Sequence, residues 1–297
     1  MLRSTRPLPP RGRAGRPAGR RPRWLRWSRR AAAAGIGTAA LLTVAGCDNQ
    51  FTRLGMPIPA TKQAKVVLTL WQGSWIAAFA VGFLVWGLTV WAVIFHRKRS
   101  EELPAQVRYN LPIEVLYTAV PFIVIAVLFY FTARDENFQN KLSARPDVVV
   151  NVTAFQWSWR FDYPQYQVPG SAAGDVQVSG TPANLDIPYN ANNPVASGPQ
   201  LVIPEGETVR FNLAAPDVIH SFWVPAFLFK RDVIPGHPNH FEVTPTSTGT
   251  FTGRCAELCG QYHSEMLFTV KVVSPQQFQK YITAQKAAAL KSGGSAQ

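Results

Sequence analysis

The chain has 297 residues, enough to bury a sizeable core in more than one structural unit. Its formal net charge of +13 suggests nucleic acid or anionic lipid as a partner until the charge is located. Eleven arginines lie within residues 1–30, where there is no acidic residue, and the rest of the chain carries 19 basic and 17 acidic side chains. The basic charge therefore belongs to a leader, and no nucleic-acid partner is expected.

Residues 1–46 have the layout of a signal peptide. An arginine-rich start is followed by an apolar run of small residues from Ala31 to Gly46, which is too short for a membrane span. The sequence Val44-Ala45-Gly46-Cys47 resembles the bacterial lipobox, in which Cys47 becomes the lipidated first residue of the mature chain. The alternative is a spare thiol in an uncleaved anchor.

After an extracytoplasmic segment at 47–65, two apolar runs predict a transmembrane helical hairpin over 66–133. Val66 to Phe95 and Ile113 to Thr132 each reach the roughly 20 residues needed to cross a bilayer. Neither run shows the polar face that a soluble helical hairpin would need. Basic residues outnumber acidic ones in the connecting loop, so the positive-inside rule puts this loop in the cytoplasm and residues from 134 onward outside.

Glu114 is an ionisable residue within the second apolar run, close to its cytoplasmic end. Such groups are costly in a membrane span and mark a functional hypothesis. The alternative is a carboxylate that reaches the interface, and the residue pattern alone favours neither.

Residues 134–274 predict an extracytoplasmic β-sandwich or barrel, so the fold class is α+β. Alternation of apolar and polar residues in 148–155 and 156–163 indicates half-buried strands, and Pro and Gly turns separate further short strands. An antiparallel arrangement is expected. The insertion at 164–200 shows no periodicity, and 275–297 predict a C-terminal helix and tail. On the second strand, Trp157, Trp159, Phe161 and Tyr163 are expected to share one face.

Soft metal ligands concentrate in a twelve-residue stretch with the spacing C-x3-C-x3-H-x2-M. The candidate side chains are Cys255, Cys259, His263 and Met266, together with His220 upstream; all are expected in loops between strands. Sulfur combined with imidazole selects copper over hard cations. A disulfide is the main alternative, but it would not need the histidine and the methionine. A mononuclear blue-copper site would leave one cysteine unused, whereas two thiolates and two imidazoles suit two copper ions bridged by both sulfurs.

Taken together, these features resemble subunit II of cytochrome c oxidase, in a lipoprotein-type bacterial form, over residues 47 to about 275. The motifs that carry the resemblance are Gln156-Trp157-Ser-Trp159, Asp217-Val-Ile-His220-Ser and Cys255-Ala-Glu257-Leu-Cys259 through Met266. The resemblance implies a cupredoxin-like domain with a dinuclear copper A centre. Cys255 and Cys259 would bridge the two copper ions, and His220 and His263 would each bind one. Met266 would be a weak ligand to one copper, and the carbonyl of Glu257 a ligand to the other.

The resemblance implies further roles for single residues. The Glu257 side chain would reach a magnesium ion shared with subunit I. Trp157 would receive electrons from cytochrome c, and Asp217 would lie at the surface where this donor docks. Glu114 would lie at the mouth of a proton-uptake channel.

The function implied is transfer of electrons from cytochrome c to haem in subunit I, where oxygen is reduced to water with proton pumping. The expected partners are subunits I and III, the lipid bilayer, and cytochrome c or a membrane-tethered cytochrome c domain, for example of a cytochrome bc complex. The expected location is the bacterial plasma membrane. We expect the insertion at 164–200 to contact a tethered donor. One departure from the family pattern is His237, which stands where an arginine is usual.

Three other functions share some of these features. Subunit II of a quinol oxidase would lack the copper ligands, and nitrous oxide reductase would lack the paired spans. A membrane-tethered copper-delivery module, without a role in electron transfer, would need neither Trp157 beside an acidic residue nor Glu114 in the span.

Overall fold

The computed structural model describes residues 51–99, 101–103, 106–171, 174–180 and 198–293. Cys47, the leader and residues 181–197 of the insertion lie outside the described residues. The predictions of a signal peptide and of a lipid anchor therefore stay predictions. The described residues from Arg53 onward form one compact unit.

Two long helices precede the β-rich part of the chain. Helix α1 spans Lys62–Phe95 and helix α2 spans Leu111–Asn140. The side-chain oxygen of Thr61 caps α1 by accepting from the N–H of Ala64 at 3.0 Å. Both helices are long and apolar enough to cross a membrane, and most of their large apolar side chains are exposed. A surface of this kind is unstable in water, so the hairpin belongs in a bilayer.

The outer domain is a sandwich of two five-stranded sheets, with the strand orders β3-β2-β1-β5-β8 and β4-β10-β9-β6-β7. The strands are β1 (Val148–Phe155), β2 (Ser158–Gln167), β3 (Asp175–Ser179), β4 (Gln200–Pro204), β5 (Val209–Ala214), β6 (His220–Val224), β7 (Phe229–Val233), β8 (Asn239–Val243), β9 (Gly249–Cys255) and β10 (Leu267–Val273). The α+β fold class is confirmed. The sheets are not fully antiparallel as predicted, because β1 pairs in parallel with β5, and β4 with β10.

Part of the 164–200 insertion has regular structure, although its sequence shows no periodicity. Strand β2 continues to Gln167 and pairs with β3. Val176 of β3 is buried, and the pairing shifts register between Tyr163 and Gln167. This bulge breaks the regular alternation that sequence inspection looks for.

An aromatic cluster fills the space between the sheets. The rings of Phe211 and Phe222 are 5.4 Å apart, and those of Phe222 and Phe268 are 4.8 Å apart. Trp159 is fully buried and meets Phe268 at 5.0 Å. Burying one such side chain stabilises the folded state by about 1.5–3 kcal/mol. Because many of these rings pack together, the sandwich is a rigid support for the loops at its ends.

The β1–β2 turn removes Trp157 from the row of aromatic side chains predicted on one face. Trp159, Phe161 and Tyr163 point into the core and are fully buried. Gln156 and Trp157 form the turn itself, and Trp157 is only partly buried at the end of the sandwich. The expectation that the four side chains share one face of the strand was therefore wrong for Trp157, which precedes the strand.

The hairpin and the sandwich are joined at both ends of the hairpin. At the start of α1, the N–H of Lys62 donates to the carbonyl of Thr244 at 2.9 Å. Beyond α2, Ser143 donates to Glu242 of β8 from its backbone N–H at 2.9 Å and from its hydroxyl at 3.0 Å. Helix α3 (Pro275–Gly293) follows β10 and buries Phe278 against the sandwich.

Candidate metal centre

The candidate ligands meet where strands β6 and β9 lie side by side. His220 is the first residue of β6 and Cys255 is the last residue of β9, and the register pairs Phe222 with Cys255. The prediction that these residues lie in loops was wrong for both. Strand β6 is buried on both faces, with His220, Ser221 and Phe222 each at most 1% exposed. Such a strand shows no alternation in its sequence.

The loop between β9 and β10 carries the other ligands. It is closed at its base by a hydrogen bond from the N–H of Cys255 to the carbonyl of Met266 at 3.1 Å. His263 lies in a 3-10 turn, His263–Glu265, and Met266 directly precedes β10. Because the loop starts and ends on neighbouring strands, its ligands are held close to His220 on the adjacent strand.

The sulfur and imidazole atoms converge on one point. Both cysteines are free, and their Sγ atoms are 3.9 Å apart. Nδ1 of His220 lies 3.9 Å from Cys255 Sγ, and Nδ1 of His263 lies 3.5 Å from Cys259 Sγ. Met266 Sδ is 3.8 Å from Cys259 Sγ. The ligand atoms of His220, Cys255 and Cys259 all lie within 4.8 Å of one another.

Glu257 faces the centre with its backbone carbonyl. Its carbonyl oxygen is 3.2 Å from Cys255 Sγ, whereas Glu257 as a whole is exposed. The backbone and the side chain of this residue therefore face different surroundings, the first turned to the sulfur cluster and the second to the surface.

Both thiols of the centre can be ionised together only if a cation is added. Burial raises the pKa of Cys255, but the hydrogen bonds with His220 and with the backbone of Glu257 and Ser221 together outweigh burial, so the net pKa is lowered. Burial and the neighbouring Cys255 raise the pKa of Cys259 to about 12. Two adjacent thiolates repel each other, so the second forms readily only when a metal ion offsets the charge.

The donor set fits copper. Two thiols, two imidazole nitrogens, a thioether and a carbonyl oxygen surround the point of convergence, and His220 and Met266 are fully buried. Soft thiolate and thioether donors together with imidazole favour copper and zinc over magnesium or calcium. The thioether favours copper, because structural zinc sites use Cys, His and carboxylate ligands.

Asp217 contacts a ligand of the centre. Its Oδ1 lies 2.9 Å from Nε2 of His220 and also accepts from the N–H of Val218 at 2.7 Å. Burial raises the pKa of Asp217, but the hydrogen bonds from His220 and from the backbone outweigh it, so the net pKa is lowered. The carboxylate therefore orients the imidazole, a use that the sequence analysis did not foresee.

Trp157 lies against the ligand loop. Its Nε1–H donates to the carbonyl of Cys259 at 3.3 Å, and its ring meets the Tyr262 ring edge-on at 4.9 Å. The partly exposed indole therefore reaches from the end of the sandwich to a ligand residue.

Glu114 is far along the chain from the centre, in the first turn of α2. Its carboxylate accepts from the N–H of Asn110 at 3.0 Å, which helps to cap the helix. This capping role is compatible both with a functional carboxylate and with one that only reaches the membrane interface.

The comparisons with known proteins identify the family. A family model described as cytochrome C oxidase subunit II, periplasmic domain, matches residues 148–273. A Streptomyces coelicolor protein named probable cytochrome c oxidase subunit 2 is 53% identical over 264 residues, which cover 82% of this chain and 82% of that protein. The chain belongs to the cytochrome c oxidase subunit 2 family. Cytochrome c oxidase subunit 2 of Mycobacterium tuberculosis is 37% identical, over 85% of this chain and 80% of that protein.

Among solved structures, the periplasmic domain of subunit II of cytochrome oxidase from Bradyrhizobium japonicum is 28% identical, with a TM-score of 0.41, and covers 50% of this chain and 99% of that one. Family membership confirms the resemblance drawn from the motifs. This subunit 2 is a membrane protein with two spanning helices and a periplasmic-type copper domain. It works as part of an oxidoreductase complex, so the other oxidase subunits are its partners.

Two residues near the centre escaped the sequence reasoning. Gln156 donates from Nε2 to the carbonyl of Cys259 at 2.7 Å. Gly260, the next residue in the loop, has φ +124°, which few residues other than glycine adopt. Gln156 is part of the Gln156-Trp157-Ser-Trp159 motif, but the sequence assigns it no role of its own. The signal that could have found Gly260 was a glycine directly after a candidate ligand cysteine.

Proposed function

We propose that this subunit 2 receives single electrons from a cytochrome c at a dinuclear copper A centre and passes them to haem in subunit I. There, oxygen would be reduced to water, coupled to proton pumping. The observation that carries the proposal is the convergence of both cysteine sulfurs with two imidazole nitrogens and the Met266 sulfur.

Each ligand would have its own part. Cys255 and Cys259 would bridge two copper ions, because their sulfurs face each other at 3.9 Å without a disulfide. His220 would bind one ion and His263 the other, since each lies beside a different sulfur. Bound copper supplies one-electron redox chemistry.

Met266 and Glu257 would complete the two coordination shells. Met266 Sδ lies beside Cys259 Sγ, and the Glu257 carbonyl lies beside Cys255 Sγ, so each of the two weak ligands would bind a different copper ion. Burial of Met266 in the sandwich core would hold the thioether in place. Rigid ligands favour electron transfer because little reorganisation is then needed.

Trp157 would be the point of electron entry. The proposal is supported by its partial exposure and by its hydrogen bond to the Cys259 carbonyl, which link the surface to a ligand residue. The donor would be cytochrome c or a membrane-tethered cytochrome c domain, for which the 164–200 segment would provide contacts. Asp217 stays a predicted docking residue, although its hydrogen bonds favour the role of orienting His220.

Two carboxylates would serve the partner subunit. The exposed side chain of Glu257 is free to reach a magnesium ion shared with subunit I, while its carbonyl faces copper. Glu114, in the first turn of α2, would lie at the cytoplasmic mouth of a proton-uptake channel. Subunit III is a further proposed partner.

The proposed location is the bacterial plasma membrane, with the copper domain on the extracytoplasmic side and an N-terminal lipid on Cys47. The net positive charge of the loop between the helices supports this orientation. Intact-mass analysis of the purified protein should give a chain that starts at Cys47 and carries acyl groups. An N-terminus at Met1 would contradict it.

The decisive experiment is copper loading of the purified full-length chain in detergent. We expect two copper ions per chain and a purple mixed-valence spectrum, which bleaches when reduced cytochrome c is added. Cys255→Ser and Cys259→Ser should each abolish that spectrum. A single blue-copper spectrum, or a colourless Cu(I) site that does not react with cytochrome c, would contradict the proposal and favour copper delivery.

A further inference from the structure

The β1–β2 turn contacts both segments that carry the proposed copper ligands. The backbone N–H of Gln156 donates to Oδ2 of Asp217 at 2.6 Å. The side-chain amide of the same residue donates from Nε2 to the carbonyl of Cys259 at 2.7 Å. Asp217 is three residues before His220, and Cys259 is itself a proposed ligand. One residue therefore connects the two ligand segments, which come from distant parts of the chain.

On the side of His220, the contact runs through a carboxylate. Asp217 holds the imidazole through Oδ1 and Nε2 at 2.9 Å, while its other oxygen accepts from Gln156. An ionised carboxylate only accepts hydrogen bonds, so Nε2 carries the proton. Nδ1, which faces Cys255, is then the nitrogen available to bind a metal. Hydrogen bonds of this kind orient histidine ligands of metals.

On the side of Cys259, two donors share one acceptor. The carbonyl receives Nε2 of Gln156 at 2.7 Å and Nε1 of Trp157 at 3.3 Å. Gly260 leaves room for this approach, because a Cβ there would be in tight contact at 3.2 Å from Gln156 Nε2 and 3.2 Å from Trp157 Nε1. The hydrogen bond from the Gln156 amide is the shorter of the two.

We propose that Gln156 is a positioning residue of the copper centre, which holds the His220 segment and the Cys259 loop at a set separation. The inference rests on the proposed function, because it takes His220 and Cys259 as copper ligands. Without the amide, the Cys259 carbonyl keeps only the longer bond from Trp157. The Cys259 loop can then move away from the Asp217–His220 pair, which changes the angles at the bridging sulfurs and opens the centre to competing ligands.

The test compares copper-loaded full-length chains in detergent. Gln156→Met keeps the length of the side chain and the backbone N–H but removes the amide, and Gln156→Glu directs a carboxylate oxygen at the Cys259 carbonyl. Gln261→Glu is the matched control, because this exposed residue lies in the same loop and its Nε2 makes a long hydrogen bond to the Tyr262 hydroxyl, at 3.5 Å, rather than to a candidate ligand. The readouts are copper loss to a chelator, the visible absorption bands, and the copper hyperfine pattern in electron paramagnetic resonance.

We expect both Gln156 variants to lose copper about tenfold faster than the parent, the scale on which partners of metal ligands act. Both should also shift the absorption bands and the hyperfine pattern, while Gln261→Glu stays within about twofold of the parent rate. Parent-like behaviour of both Gln156 variants would overturn the inference, as would an equal change in Gln261→Glu. Loss of the strand signal in circular dichroism by both variants would also overturn it, since Gln156 would then support the fold in general. Failure of the proposed function is separate, because it would already appear in the parent chain as fewer than two copper ions.

Discussion

The ion pair between Arg210 of β5 and Glu242 of β8 should be one of the largest single contributions to the stability of the copper domain. The side chain of Glu242 is 4% exposed and that of Arg210 is 23% exposed. Arg210 donates to Glu242 Oε1 from Nε at 2.9 Å and from Nη2 at 2.6 Å. Ser143 donates to the same carboxylate twice. Glu242→Leu therefore removes the carboxylate acceptor of the guanidinium, which keeps its hydrogen bond to the Ser143 carbonyl, and of two further donors.

The expected loss follows from this geometry. Removing one partner of a buried pair costs about 3–5 kcal/mol. Water still reaches part of the Arg210 side chain, so we take the lower end, about 3 kcal/mol. For a domain of this size, 1 kcal/mol shifts the melting temperature by about 4 °C, and the expected decrease is about 12 °C.

The assay is thermal unfolding of the metal-free full-length chain in detergent, followed by circular dichroism in the strand region. The double variant Arg210→Met/Glu242→Leu removes both charges and should melt above the Glu242→Leu single variant. Glu101→Leu is the control, because its partner Lys98 and Glu101 itself are 70% and 94% exposed, and it should not change the melting temperature measurably. A decrease below about 3 °C for Glu242→Leu, or a double variant that melts lower still, would refute the reasoning.

Three further predictions concern packing, protons and electron entry. Gly253→Ala should lower the free energy of unfolding by about 1–3 kcal/mol in thermal melts, because its Cβ would meet the Phe268 ring at 2.2 Å, and an unchanged melting temperature would count against it. Because the pKa of Cys259 is raised to about 12, its thiol is protonated at neutral pH in the metal-free chain. Copper loading should therefore release protons into a weakly buffered solution and strengthen as pH rises, and copper uptake without proton release would argue against thiolate binding at Cys259. Trp157→Phe keeps a ring but loses the N–H bonded to Cys259, so stopped-flow reduction by cytochrome c should slow severalfold at unchanged copper content; an unchanged rate would remove Trp157 from the path.

The parts predictable from sequence are those in which neighbouring residues decide the outcome. Both membrane helices follow from uninterrupted apolar runs, because lipid offers no partner to a polar backbone outside a helix. The spacing of the candidate ligands from Cys255 to Met266 could be predicted for the same reason. Cys255 ends β9, and the single short loop from β9 to β10 carries the side chains of Cys259, His263 and Met266.

The strands next to the centre were harder to predict. His220 opens β6, and both faces of this strand are buried, so no alternation marks it. The parallel pairing of β1 with β5 joins Val148 to Val209 across a long intervening segment. Neither feature has a local signal, because both depend on which elements pack on top of the strand.

The sequence by itself determined the membrane hairpin, the α+β class and the cluster of candidate copper ligands from Cys255 to Met266, because each depends on residues close together in the chain. Only the tertiary structure decided how the ligands are held. Asp217 meets His220 on one side and Gln156 on the other, and Gln156 reaches Cys259 across 103 positions of the chain. The physical reason is that hydrogen-bond partners are chosen by distances in space, which arise only after the two sheets have packed around their aromatic core.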